Sequence, residues 1–199
     1  MNTGSGLRVG VFVFDDVEEL DAVGPYEVLA SWAQHSELRP EVLTFSPDGG
    51  GVRCAKGLCL VPDRSAADVG PLHVLVHPGG RGTRALAADP EHLAWTRGMR
   101  ATTTLMTSVC TGALVYAAAG LLAGRPATTH WAAFDELLAL DPSVLLDDEA
   151  RFVDDGDVVT SAGVSAGIDM ALHLVARLES PDAAHTVRRR IQYDPAPPV

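Results

Sequence analysis

The chain is short of cysteine, short of positive charge and without any long apolar run, and each shortage removes a class of protein. Its three cysteines, Cys54, Cys59 and Cys110, cannot all pair within one chain, so a disulfide framework is excluded and a reducing cytoplasm is the expected setting. Neither they nor the seven histidines fall at the paired spacings of a zinc site, so no metal is expected. Fifteen basic against 26 acidic side chains leave a formal charge of −11. That is the wrong sign for nucleic acid or an anionic membrane surface. The only dense basic run, Arg188 to Arg190, suits the end of a short last helix, where it complements the macrodipole. No stretch approaches the roughly 20 apolar residues of a membrane span. The run Val9 to Phe14 is followed at once by Asp15 and Asp16, unlike a secretory signal. Internal repeats and low-complexity segments are also missing. A small neutral or polar ligand remains as the expected partner.

What is present is an ordinary globular composition, 47% hydrophobic and 21% charged in 199 residues, which suits one domain over residues 1–199. Short β-branched runs alternate with Ala- and Leu-rich stretches of helical period, the pattern of an α/β fold with a parallel sheet. Strands are expected over Leu7 to Phe14, Glu41 to Phe45, Val74 to His77 and Thr104 to Val109, with a weaker one at Ala127 to Thr129. Helices are expected over Pro25 to Gln34, Pro90 to Arg100, Thr111 to Ala119, Trp131 to Leu140 and Ala166 to Leu178. Val52 to Cys54 with Leu58 to Val61, and Phe152 to Asp154 with Val158 to Ser161, flank Lys56-Gly57 and Asp155-Gly156 as hairpins. The polar lead-in Met1 to Gly6 and the proline-rich end Asp194 to Val199 should not form core.

Three segments carry chemistry. In Thr107-Ser-Val-Cys110-Thr-Gly-Ala-Leu-Val a β-rich run passes directly into an Ala-rich helix, placing Cys110 on a sharp strand-to-helix turn like a nucleophile elbow. Unpaired N–H groups at a helix start favour thiolate, so a lowered thiol pKa is expected. The alternative is a small buried apolar residue. Cys54 and Cys59, in a hairpin without helix or basic neighbours, read as packing. In Glu18-Glu-Leu-Asp21-Ala-Val-Gly24-Pro25, Pro25 suits the first position of a helix, which puts Asp21 in the preceding turn at the C-terminal edge of the sheet. There it is either an acid facing Cys110 or a turn or cap residue, while Asp15, Asp16, Glu18 and Glu19 read as solvated. Gly80-x-Gly82-x-x-Ala85 formally matches a relaxed dinucleotide fingerprint. It lies mid-chain, however, and the next strand carries no acid, so a glycine turn offering backbone N–H groups explains it without a cofactor. His130 is either a third polar group of the crevice or a hydrogen-bonded structural histidine.

Taken together, these segments resemble the ThiJ/PfpI superfamily, and within it the bacterial isonitrile hydratases. The likeness rests on Glu-Leu-Asp21-Ala-Val-Gly-Pro-Tyr-Glu-Val-Leu, Pro78-Gly-Gly-Arg-Gly, the Cys110 window, Ala118-Ala-Gly-Leu-Leu-Ala-Gly-Arg-Pro-Ala-Thr-Thr-His-Trp-Ala, Ala166-Gly-Ile-Asp-Met-Ala-Leu and Gln192-Tyr-Asp-Pro-Ala-Pro-Pro. The resemblance implies a flavodoxin-like three-layer sandwich, a homodimer and no cofactor. It further implies Cys110 as nucleophile, Asp21 as acid/base, backbone donors at Gly80 and Thr111, and Val164 with Ser165 near the site. Thr111 stands where the family's peptidases have histidine, which argues against peptidase activity. Arg81 and Thr83 differ from the usual neighbours of the glycine turn and should alter the pocket mouth. The expected reaction is hydration of an isonitrile to an N-substituted formamide. The runners-up are a cofactor-independent glyoxalase or deglycase, motivated by Cys110 with His130, and a redox- or ligand-sensing domain. The residues after Leu178 are too few for a helix-turn-helix domain.

Overall fold

The computed structural model describes residues 6–194. The expected lead-in and proline-rich end therefore lie outside the described residues, apart from Gly6 and Asp194. In chain order the elements are β1 (Arg8–Phe12), α1 (Glu19–His35), β2 (Glu41–Ser46), β3 (Val52–Arg53), β4 (Cys59–Leu60), β5 (Arg64–Ser65), β6 (Val74–His77), α2 (Thr83–Ala88) and α3 (Pro90–Thr102). After these come β7 (Leu105–Val109), α4 (Gly112–Ala118), β8 (Pro126–Ala127), α5 (Phe134–Leu140), β9 (Leu145–Leu146), β10 (Phe152–Asp154), β11 (Val158–Ser161), α6 (Ala166–Leu178) and α7 (Pro181–Arg190).

Seven strands form one sheet in the order β10-β11-β7-β6-β1-β2-β5, parallel throughout except for the β10–β11 hairpin. The central strands are continuous apolar runs because both faces are covered: every residue of β6, β7 and β11 is buried. Helices α1, α6 and α7 pack on one another, as do α2 to α5, so two helical layers enclose the sheet in the expected flavodoxin-like sandwich. Beneath the second layer, His77 and His92 join Phe12 and Trp95 in an aromatic cluster. Their Nε2 atoms are 3.2 Å apart. Burial holds both imidazoles neutral, pushing His77 down to about 3 and His92 to about 4, so one ring donates to the other.

Several boundaries differ from expectation. Helix α1 starts at Glu19, well before Pro25, which lies inside it. Pro25 forfeits a hydrogen bond to the Asp21 carbonyl, yet the turn before it is held because Glu18 N–H donates to Gly79 O at 2.9 Å and Val17 bridges Gly80. Asp21 therefore sits in the first turn of a helix, not in a preceding loop. The Thr-Arg-Ala-Leu-Ala-Ala run after the glycine turn forms α2 from good helix formers. The weak strand is β8, which pairs with β9 outside the main sheet. His130 opens a short 3₁₀ turn before α5, its Nδ1 accepting from Ala132 N–H at 3.2 Å.

Candidate active site

Chain order reverses about β1: the sheet grows to β2 and β5 on one side and to β6, β7 and β11 on the other. Ligand sites in open α/β sheets lie at the C-terminal strand edge beside such a switch point. The segments leaving β1, β6, β7 and β11 at that edge carry Asp21, Gly80, Cys110 and Val164.

Cys110 has φ of +56°, a left-handed backbone that costs an L residue roughly 1–2 kcal/mol. Hydrogen bonds hold it there. Its N–H donates to Ser161 O at 3.0 Å and Ala162 O at 3.2 Å, and its C=O accepts from Thr129 Oγ1 at 2.7 Å. Gly112 is required because a Cβ there would lie 2.3 Å from His77 O. The strand-to-helix turn thus packs directly on the end of β6, and the thiol is thrown towards α1.

Asp21 meets it from the other side. Its carboxyl is fully buried, Oδ2 accepts from Gly79 N–H at 3.0 Å, Oδ1 has no hydrogen-bond partner among the described residues, and the Cys110 thiol lies near enough for the two groups to shift each other's titration. Burial, then the nearby charge of Glu18, push Asp21 up to about 7 against the pull of the Cys110 thiol and the Gly79 hydrogen bond. The raised carboxyl pKa has the expected direction. The thiol does not: burial, followed by the Asp21 charge, pushes Cys110 up to about 12, outweighing hydrogen bonds from the Thr111 N–H and side chain. The expectation of a low thiol pKa is corrected, because an elbow sealed under α1 loses more in hydration than the helix start returns. The pair holds two protons below about pH 7 and one above it, the remaining proton on the sulfur side.

A cavity of about 460 Å³ opens on this pair and is lined by Gly80, Cys110, Thr111, His130 and Val164 among others. Asp21 is not on its wall and reaches a bound molecule only beside the sulfur. Val164, a β-branched residue at φ +52°, is a second strained position at the cavity. Gly80 needs correction as a free backbone donor: its N–H donates to Thr111 Oγ1 at 2.9 Å. At φ +128°, a Cβ there would lie 2.3 Å from Asp16 O, so this glycine serves backbone packing and supports Thr111. His130 fills both of its alternative roles, capping the 3₁₀ turn and lining the cavity. Among the described residues no group of three or more His, Cys, Asp or Glu side chains is placed to hold a metal, and no helix is long and apolar enough to cross a membrane.

Other expectations shift as well. Arg81 lines the cavity as expected, but Thr83 does not reach its mouth: it is fully buried, its hydroxyl 3.0 Å from Thr111 Oγ1 and 2.7 Å from Gly80 O, where it braces the glycine turn. Glu18 and Glu19 are not solvated: both carboxylates are largely covered and engage Lys56 of the β3–β4 hairpin. Only the proximity of Glu18 to Asp21 along the chain hinted at a role, and nothing local pointed to Lys56. Of the two packing cysteines, Cys54 is buried as expected but Cys59 is exposed, because it pairs with the exposed Arg53 on the solvent side of the β3–β4 ladder.

The DJ-1/PfpI family model matches residues 7–177. Isonitrile hydratase from Pseudomonas putida is 41% identical over 192 residues, covering 96% of this chain and 81% of that protein. Glutathione-independent glyoxalase DJR-1.2 from Caenorhabditis elegans is 27% identical over 180 residues, 87% of this chain and 89% of that one. Among solved structures, a ThiJ/PfpI family protein from Pseudomonas syringae superposes with a TM-score of 0.87 at 33% identity, covering 100% of this chain and 81% of that one. On the strand-to-helix cysteine, the sheet order and these matches, the chain belongs to the DJ-1/PfpI family.

Proposed function

We propose that the protein is a cytoplasmic hydratase that adds water to an isonitrile, giving an N-substituted formamide without a cofactor. The observation that carries this reading is the sealed Asp21–Cys110 pair behind a small cavity, together with the likeness to a hydratase over nearly the whole chain. The Cys110 sulfur forms a bond to the terminal isonitrile carbon while Asp21 takes the thiol proton and returns it to that carbon, leaving a thioimidate, R–N=CH–S–Cys. Water then attacks the same carbon; Asp21 accepts a water proton and passes it to the imidate nitrogen, giving R–NH–CH(OH)–S–Cys. Collapse of this adduct breaks the C–S bond, the hydroxyl proton passes through Asp21 to the departing sulfur, and R–NH–CHO is released with the thiol restored. Thr111, through its N–H, steadies the sulfur as it gains charge, while its hydroxyl donates to Gly80 O at 3.1 Å.

The working form holds one proton on the pair, so protonation of Asp21 as well removes the base. kcat/KM for an aryl isonitrile should therefore rise with pH to a plateau, with an apparent pKa near the value of about 7 set for Asp21. Formamide formation followed from pH 5.5 to 9 checks this; no formamide from any isonitrile would sink the reading. The second reading, a glyoxalase, draws on His130 at the cavity and on the C. elegans relative, and methylglyoxal consumption in the same assay tests it. A peroxide-sensing role fits less well, since oxidation-sensitive thiols are exposed and low in pKa, whereas Cys110 is buried and raised.

We further propose a homodimer joined through the start of α1 and the β3–β4 hairpin. There Leu20, Val23, Leu58 and Val61 are exposed, Val61 at 86%, and Val23 and Val61 border one apolar hollow. Val61→Asp should convert the dimer to monomer in light scattering with size exclusion. A monomeric parent protein would end the proposal.

A further inference from the structure

The cavity that holds Cys110 carries a charge unlike the rest of the chain. In a protein of net charge −11, its wall includes Lys56, the only lysine in the sequence, together with Arg81 and Arg84, against one acid, Glu18. Two of these cations are already answered. Lys56 is paired with Glu18 and lies 3.9 Å from Glu19. Arg84 makes two hydrogen bonds to Glu136, at 2.9 and 3.0 Å. Arg81 differs. Among the described residues its guanidinium makes one hydrogen bond, to Ala55 O at 2.7 Å, and its ion-pair carboxylate, Asp16, stands 3.9 Å away, beyond hydrogen-bond reach. The Ala55 contact ties the guanidinium to the hairpin at the mouth while most of its donors stay free, and the side chain is 74% exposed.

We propose that the substrate carries a carboxylate at the end remote from the group Cys110 attacks, and that Arg81 receives it. A planar guanidinium with free donors offers two parallel N–H···O bonds to a carboxylate. The anion must sit at the mouth because the inner end already holds the negative charge of the Asp21–Cys110 pair. Arg81 is thus a specificity-determining residue, and the selected class is carboxylate-bearing isonitriles. The identity of the attacked group rests on the hydratase reading; the anion site does not.

The test compares para-isocyanobenzoate with its methyl ester as substrates, and para-(bromomethyl)benzoate with its methyl ester as alkylators of Cys110. Mass spectrometry of the Cys110 peptide in a Cys59→Ser background follows the alkylation. In both series the acid-to-ester ratio should be about 10-fold higher in the parent protein than in Arg81→Ala, as expected for a charged hydrogen-bonded contact. Arg81→Lys should recover part of it, and about 0.5 M NaCl should shrink it. Ratios that Arg81→Ala leaves unmoved overturn the proposal, and with formamide still produced the hydratase reading survives. If neither isonitrile reacts but the alkylation ratio falls in Arg81→Ala, the anion site stands and the hydratase reading fails.

Discussion

Replacing Cys110 with alanine should abolish isonitrile hydration, lowering kcat/KM by roughly a thousandfold or more, because no other group in the cavity can form the thioimidate. The nearest hydroxyl, Thr111 Oγ1, is occupied by the Gly80 N–H and faces Thr83. The fold should survive. Alanine retains the Cβ and the left-handed backbone, and the backbone hydrogen bonds of the residue at position 110 are independent of its side chain. Cys110→Gly separates catalysis from strain. It should be equally inactive, yet relief of the +56° φ should raise its unfolding free energy above that of Cys110→Ala by about 1 kcal/mol. Thermal melts by circular dichroism beside the formamide assay check both. Activity retained in Cys110→Ala would remove the nucleophile assignment, and a glycine variant less stable than the alanine variant would show that the elbow is not strained.

Asp21→Asn should separate activity from stability in opposite directions. A carboxyl raised from 3.8 to about 7 by burial favours the folded state while it is uncharged. That contribution is fully present below pH 3.8 and is lost as pH rises through about 7, so at pH 8 the ionised Asp21 works against folding. An asparagine oxygen can still accept from Gly79 N–H but never ionises. At pH 8 the variant should be more stable than the parent by on the order of 2–4 kcal/mol, a Tm rise of roughly 5–10 °C for a chain of this size. The gain should vanish near pH 4. Activity should fall by roughly a hundredfold to ten-thousandfold, with no ascending pH limb near 7. Equal melting temperatures at pH 8 would mean that Asp21 is not ionised against a desolvation cost, and full activity would remove it as the acid/base. This is the trade of stability for function expected where a titrating group is held in a sealed site.

Much of the scaffold could be read from local pattern. Val74–His77, Phe152–Asp154, Val158–Ser161 and Ala166–Leu178 appear where β-branched runs, a turn dipeptide and a helical period put them. The Cys110 elbow was visible because strand and helix composition meet there without intervening loop residues. Pro25 misled: its preference for a first helical turn is a local tendency, and the hydrogen bonds of Glu18 and Val17 to the glycine turn after β6 override it. The thiol pKa misled for a related reason. A helix start is evident in sequence, but how completely α1 covers it depends on residues far along the chain.

By itself the sequence determined the family and the class of fold, and it singled out Asp21 and Cys110 as the pair proposed to react, because these rest on residue types and short spacings that carry their own conformational preferences. Tertiary structure alone decided the electrostatics: that Asp21 lies buried within a helix, that the thiol is raised, that the Gly80 donor is taken by Thr111, and that Arg81 remains open at the mouth. Those outcomes depend on which strands are neighbours and on how much water each side chain loses, and both follow from the packing of segments distant in sequence.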